Sequence, residues 1–308
     1  MSELHVVFGA GQIGNPLATL LLQRGHRVRQ VSRSGTAVAG AEAFAADLSD
    51  PEQAAAAAAG AAVVYQAINA PYTKWHTLLE PLQRGALAGV KAAGARFVVL
   101  DNLYSYGIPD GPIRADSPMN PCSKKGAIRQ RVTELLLGPE AHGVQVAIGR
   151  ASDFIGPDIS ESLFSGAGMI AFAKGGRTLL PGDPTLPRAY SYGPDVVAGL
   201  AALGADPDAA GVYILPTINT SSRALLDAID RASGNRGKTM PIPRLLLRVL
   251  GVAIPLAREI EEMAYQWEVP YVVDCSVMED RYGLTPTSID AFAEEIVARA
   301  GLRQLAAA

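Results

Sequence analysis

Short apolar runs recur along the first half of the chain, separated by longer stretches whose apolar positions follow helical spacing. The runs fall at 4–9 (LHVVFG), 26–31 (HRVRQV), 42–46 (EAFAA), 62–68 (AVVYQAI), 96–101 (RFVVLD) and 144–149 (VQVAIG). Most are apolar throughout rather than alternating, as in strands covered on both faces. Helices are expected at 12–24, 51–59, 74–93 and 123–137. Asp50 ahead of Pro51 supplies a cap and a first-turn proline. The alanine run 54–59 reads as a helix surface of small side chains. Strand–helix alternation implies an α/β chain with parallel strands joined by crossover helices.

The texture changes after about residue 155. The stretch 174–195 is rich in Gly and Pro and reads as loops with short strands. A helix returns at TINTSSRALLDAIDRASG, and 244–267 reads as a long, partly broken helical segment. The expected organisation is therefore a nucleotide-binding region over 1–155 and a smaller, mostly helical lobe over 156–308. Some segments of that lobe return to the sheet. Substrate is expected at the carboxyl ends of the strands, under the lobe.

Composition narrows the function classes. The 308 residues are 49% apolar and 19% charged, with a net charge of −3 and no basic block, so nucleic acid is not an expected partner. Two cysteines make no disulfide framework. The most apolar stretch, 245–257, is too short to span a bilayer and contains Arg248 and Pro255. No membrane segment or leader is expected, and the localisation expected is cytoplasmic. Histidines at 5, 26, 76 and 142 have no metal-ligand spacing, and no Gly-x-Ser-x-Gly elbow is present.

GAGQIG, with Gly9, Gly11 and Gly14 around Gln12 and Ile13, follows the first strand and opens the first helix. Glycine gives a tight turn at the first position, close approach to a pyrophosphate at the second, and close helix packing at the third. The helix N-terminus supplies donors and positive potential for phosphates. This context points to a Rossmann fold, a doubly wound parallel sheet that binds a dinucleotide. A site for NAD usually carries an acid at the end of the second strand. This chain has Ser32, Arg33 and Ser34 there instead. Arg33 suits a 2′-phosphate, with the serine hydroxyls beside it, so the cofactor expected is NADPH (NADP+).

The segment NPCSKKGAIRQ places Lys124 and Lys125 in the first turn of a helix, where cations are disfavoured. GAGQIG, VSRSG, ADLSD, INAPY, LDNLYSYG, SKKG and GRASDFIGPD occur in the order found in extended short-chain dehydrogenase/reductases of the epimerase/dehydratase branch. The chain resembles that family over nearly its whole length. The resemblance implies that Lys125 is the lysine of the family's Tyr-x-x-x-Lys pair, bonding the nicotinamide ribose and lowering the phenol's pKa. It sets Asp47 and Leu48 on the adenine side and Asn69 and Ala70 against the cofactor. It sets Asp153 and Phe154 beside nicotinamide and substrate. Homodimers are common in the family; a monomer or homodimer is expected.

The chain departs from the pattern where the proton should come from. Pro121 stands four residues before Lys125, in the tyrosine's place, and Asn102 stands where the family has Ser or Thr. Three explanations are open. Tyr72, Tyr104, Ser105, Tyr106 or Ser123 supplies the proton; or no side chain does; or the protein binds cofactor without redox chemistry. Similar scaffolds lacking the tyrosine occur among reductases of aromatic polyketide ketones such as angucyclinones. The resemblance thus implies an NADPH-dependent ketoreductase of secondary metabolism, with Tyr72, Asn102, Asp153, Phe154 and Trp267 facing a bulky aromatic ketone. A nucleotide-sugar epimerase or dehydratase, and a non-catalytic redox sensor, are the alternatives.

Overall fold

The computed structural model describes residues 2–302; the last six positions of the expected lobe lie outside the described residues. In chain order the first elements are β1 (Leu4–Phe8), α1 (Gly14–Gln23), β2 (Arg27–Ser32), β3 (Glu42–Ala45), α2 (Pro51–Ala58), β4 (Val63–Gln66), α3 (Trp75–Ala93), β5 (Arg96–Asn102), α4 (Lys124–Leu137) and β6 (Val146–Ala151). There follow β7 (Asp153–Ile155), α5 (Gly166–Ala173), β8 (Arg177–Pro181), β9 (Pro187–Tyr192), α6 (Gly193–Ala205), β10 (Gly211–Ile214) and β11 (Ile218–Ser221). The last are α7 (Ser222–Ser233), β12 (Lys238–Ile242), α8 (Arg244–Leu250), α9 (Pro255–Glu262), α10 (Ser276–Tyr282) and α11 (Ile289–Arg299).

Two compact units divide the chain. The first takes the chain up to Gly107, with Ala115–Arg150 and Val196–Leu215. Its sheet has the strand order β10-β6-β5-β4-β1-β2-β3. Parallel register pairs Phe8 with both Val31 on β2 and Gln66 on β4. The chain therefore runs outward in both directions from β1 and β4, and their carboxyl ends form a topological switch point, the crevice where open α/β sheets bind ligands. Each of the six expected strands and four expected helices is present to within about three residues at either end. The seventh strand, β10, comes from the second half of the chain.

The core follows from the apolar runs. Val6, Phe8, Val64, Phe97, Val99 and Ile148 are buried on the strands. The alanine run is more than surface: Ala54, Ala57 and Ala58 are fully buried. A Cβ on Gly89 of α3 would lie 2.5 Å from the Ala54 carbonyl carbon, and one on Gly85 would lie 2.3 Å from the Leu48 oxygen. Small residues on both helices thus allow a close approach that no larger pair would.

The second unit takes Ile108–Arg114, Ala151–Asp195 and the chain from Pro216. It contains a three-stranded sheet, β11-β9-β7, and a two-stranded one, β12-β8. Its own core gathers Ile155, Phe164, Phe172, Tyr190, Leu225 and Phe292. Helices α5 and α7 to α11 outweigh these short strands, in line with the mostly helical lobe expected. The Gly/Pro-rich stretch 174–195 supplies β8 and β9, whose partners lie far off in sequence. The segment 244–267 breaks between α8 and α9 ahead of Pro255, which cannot continue a preceding helix. No described helix is long and apolar enough to cross a membrane.

At the amino end of β1, His5 is 2% exposed, stacks on His26 at 3.9 Å and meets the Tyr65 hydroxyl at 3.1 Å. Burial, then the charge of His26, pushes its pKa down to about 4. The unfolded chain binds a proton near pH 6.5 that the folded chain refuses. Stability is therefore full above about pH 6.5, falls as pH drops and has lost this contribution near pH 4. The span corresponds to about 3 kcal/mol. Urea unfolding between about pH 4.5 and 7.5 should show the slope, and His5→Gln should flatten it; an equal slope in the variant would assign it to other groups.

Candidate functional site

Each glycine of the turn after β1 has its own structural reason. Gly9 has φ +125° and a Cβ there would lie 2.7 Å from the Ala67 oxygen at the end of β4. A Cβ on Gly14 would lie 2.3 Å from the Gly9 oxygen. A Cβ on Gly11 would meet nothing within 4 Å, so bare backbone there faces open space. Ile13 precedes α1 with no side-chain cap, and no acid stands in the first turn. The helix end is thus left to an external anion. Gln12 is half-buried and Ile13 buried. These features fit a dinucleotide pyrophosphate.

Gln30, which belongs to no motif in the sequence, holds the turn in place. Fully buried on β2, its Nε2 donates to the Gly9 oxygen at 3.0 Å and to Asn15 Oδ1 at 2.8 Å. Its Oε1 accepts from Val38 N at 2.8 Å. One amide therefore couples the glycine turn to the loop after β2. A glutamine set between Val28 and Val31, on a strand that also carries two arginines, gives little signal of it in the sequence.

The loop after β2 forms an open pocket of about 590 Å³ lined by Ala10, Ser32, Arg33, Ser34 and Thr36. Ser32 Oγ accepts from Thr36 N at 2.8 Å and donates to the Thr36 oxygen at 3.1 Å. Ser34 Oγ meets Thr36 Oγ1 at 2.8 Å. The serine hydroxyls thus shape the loop beside Arg33. Arg33 is exposed and has no hydrogen bond or ion pair within the described residues. Asp47 is also exposed; bonds from Ser49, and to a smaller degree the Arg33 charge, hold its carboxyl below the usual range. Leu48 is 3% exposed, with its carbonyl oxygen packed against Gly85 of α3.

Ser123 caps α4 by accepting from Gly126 N at 3.0 Å, and Lys125 follows in the first turn. Lys125 is buried, while Lys124 is exposed. Its Nζ donates to the Tyr72 carbonyl at 2.8 Å and lies 4.1 Å from the Tyr72 ring and 5.2 Å from the Trp75 ring. Trp75 anchors this wall: its Nε1 donates to the Ala70 oxygen at 3.0 Å, and Tyr72 and Tyr104 flank it at 5.1 and 5.9 Å.

One turn further along α4, Arg129 stacks on Trp75 at 4.1 Å. It donates to Asn69 Oδ1 at 3.1 Å and pairs with Asp101 at 3.2 Å. Arg150 pairs with the other Asp101 oxygen at 3.2 Å, donates to Thr133 Oγ1 at 2.7 Å and lies over the Tyr106 ring. Burial lowers the pKa of Arg129, and Asp101, Tyr104 and Tyr72 oppose that shift. Sequence reasoning missed this cluster; Asp101 closing an apolar strand is its one visible sign.

The candidate proton donors separate by exposure. Ser105 is fully buried with an unpartnered hydroxyl, so it does not reach a substrate in this conformation. Tyr106 is buried, donates to the Ala115 oxygen at 3.2 Å, and burial raises its pKa. The Ser123 oxygen is engaged as a cap. Tyr72 and Tyr104 are half-buried and line the wall beside Lys125. Asn102 caps the turn that carries Tyr104, accepting from its N–H at 3.1 Å.

Asp153, Phe154 and Trp267 belong to the second unit. Asp153, expected to bond a ligand, forms an ion pair with buried Arg188, which also donates to the Gln266 oxygen at 2.7 Å. Trp267 is 7% exposed, packs against Gly182 and lies 5.3 Å from the Arg188 guanidinium. It is a core residue more than a wall. Phe154 is half-buried on β7.

A family model described as NAD(P)H-binding matches residues 9–120, from the glycine turn to the segment ahead of α4. No curated protein matches the chain in sequence. Among solved structures, MoeE5 in complex with UDP-glucose and NAD is similar with a TM-score of 0.74 at 19% identity, covering 98% of each chain. UDP-N-acetylglucosamine 4-epimerase from Bacillus cereus is similar with a TM-score of 0.74 at 13% identity, over 98% of this chain and 100% of that one. DesIV, a dTDP-glucose 4,6-dehydratase from Streptomyces venezuelae, gives 0.72 at 18% identity, over 97% and 96%. At these identities the likeness establishes the fold: an α/β Rossmann sheet of the kind those enzymes share.

Proposed function

We propose that the protein is an NADPH-dependent ketoreductase that works without the usual tyrosine. The observation that carries the reading is the loop after β2, where Arg33 stands exposed and unpaired in an open pocket and no acid occupies the end of the strand. A ribose 2′-phosphate is the dianion that such a guanidinium meets in two charge-assisted bonds. The glycine turn, braced by Gln30, would hold the pyrophosphate, and Lys125 the nicotinamide ribose. The cofactor, when bound, supplies a hydride to a carbonyl carbon.

The chain's own groups would do the rest. The Lys125 ammonium, held beside the aromatic wall, favours negative charge developing on a carbonyl oxygen. Tyr72 and Tyr104 stand on the same wall as candidates to deliver the proton. A wall of Tyr72, Trp75 and Tyr104 suits a flat aromatic ketone. Pro121 in the tyrosine's place suits an activated ketone, since a missing positioned acid costs about 10²–10⁴ in rate. Polyketide-type ketones flanked by phenols meet that requirement. The similar solved structures named above keep a nucleotide-sugar epimerase or dehydratase as second reading. Pro121 speaks against it, because oxidation of a sugar hydroxyl needs a base.

The test is NADPH oxidation by purified protein against a panel of aryl ketones with and without a neighbouring phenol. Turnover with the phenol-flanked members is expected. Inertness toward the whole panel, with NAD+ retained through purification, would shift the reading to the sugar enzymes. Tight NADPH binding without any turnover would shift it to a redox sensor.

A further inference from the structure

Two guanidiniums share one carboxylate inside the first unit. Arg129 is 4% exposed, Arg150 1% and Asp101 6%. Asp101 gives one oxygen to each, and among the described residues no second acid meets either arginine. The trio therefore carries a formal charge of +1. Among the described residues Arg129 Nε has no acceptor. Lys125 adds further cationic charge on the same buried face of α4.

Stability gives no reason for such an arrangement. A buried ion pair roughly breaks even against apolar residues of the same size, and an unbalanced one is worse. A field of one sign, held rigidly in a low-dielectric interior, does act on charge that changes nearby. Reduction of a ketone changes charge in that way. A hydride leaves the dihydronicotinamide with both electrons of its C–H bond and joins the carbonyl carbon, a proton joins the oxygen, and the nicotinamide ring is left with a single positive charge.

We propose that the Arg129–Asp101–Arg150 cluster sets the redox poise of the bound cofactor, its positive field favouring the neutral reduced ring over the cationic oxidised one. The inference rests on the reading of Lys125 as neighbour of the nicotinamide ribose, since Lys125 lies one helical turn from Arg129. The cluster would make the protein hold NADPH more tightly than NADP+, so that the oxidised cofactor leaves readily after each turnover while the bound reduced ring gives up its hydride less readily than it would outside that field. Arg129 acts here as a positioning residue, through its field on the ring.

Calorimetric titration of wild type, Arg129→Gln and Arg129→Lys with NADPH and with NADP+ tests this. Wild type should bind the reduced form at least about tenfold more tightly, the size expected of one charge acting across a protein interior. Arg129→Gln leaves Asp101 balanced by Arg150, so the variant should fold, and the ratio should fall about fivefold or more. Arg129→Lys keeps the charge and should keep the ratio. A purely structural role would weaken both forms equally and leave the ratio unchanged, which overturns the proposal; so does a wild-type ratio near one. If the 2′-phosphate assignment fails and the protein takes NADH, the same ratio is read with NADH and NAD+. Binding of no nicotinamide dinucleotide at all overturns both the proposal and the cofactor reading.

Discussion

Arg33→Asp is expected to weaken NADPH binding by about 10²-fold, the loss of a charge-assisted pair with a like charge put in its place. NADH affinity should hold or improve, because a carboxylate at the end of β2 can accept from the ribose hydroxyls. The residue is exposed and has no ion pair among the described residues, so the substitution should leave stability within about 0.5 kcal/mol. Fluorescence titration with both cofactors at two ionic strengths reads the effect. The wild-type preference for NADPH should shrink with salt, as an exposed charge pair does. Equal loss of both cofactors would mean that the loop binds no 2′-phosphate.

Lys125→Met should remove most turnover, by about 10²–10⁴, because the proposed reading assigns to it both the cofactor's position and the positive charge at the carbonyl oxygen. The methionine stem still packs between Tyr72 and Trp75, so the fold should survive. Single-turnover rates at saturating NADPH separate chemistry from binding. Tyr72→Phe and Tyr104→Phe, measured alongside, locate the proton. Loss on one names the acid, and retention in both, with Lys125→Met still inactive, leaves the substrate's own hydroxyl in that role. Full activity in Lys125→Met would remove the lysine from the site.

The parts of this site that the chain spells out locally are legible in its sequence. GAGQIG declares its turn because its glycines answer constraints set within a few residues: the close pass of Gly14 under the Gly9 oxygen and the bare approach at Gly11. Arg33 is legible because it stands where the second strand ends. The parts that depend on distant residues are not. Arg129 and Arg150 look like solvated helix and strand residues until Asp101, 28 and 49 positions away, is seen to hold both. Gln30 gains its role from the Gly9 carbonyl across the strand pair. Asp153 reads as a ligand contact by position, and only the fold brings Arg188 to it. The second unit's sheets escape for the same reason: β8 pairs with β12 and β9 with β11, across gaps too long for local patterning to signal.

The reaction proposed is hydride delivery from NADPH to a ketone, by a chain with Pro121 where the family it resembles has tyrosine. Transfer from NADPH carrying deuterium at both nicotinamide C4 positions tests that directly. Mass spectrometry should find one deuterium on the carbinol carbon of the product alcohol, with one NADPH consumed per alcohol formed. Unlabelled alcohol, or bound NADPH that keeps its deuterium in the presence of every ketone offered, would contradict it.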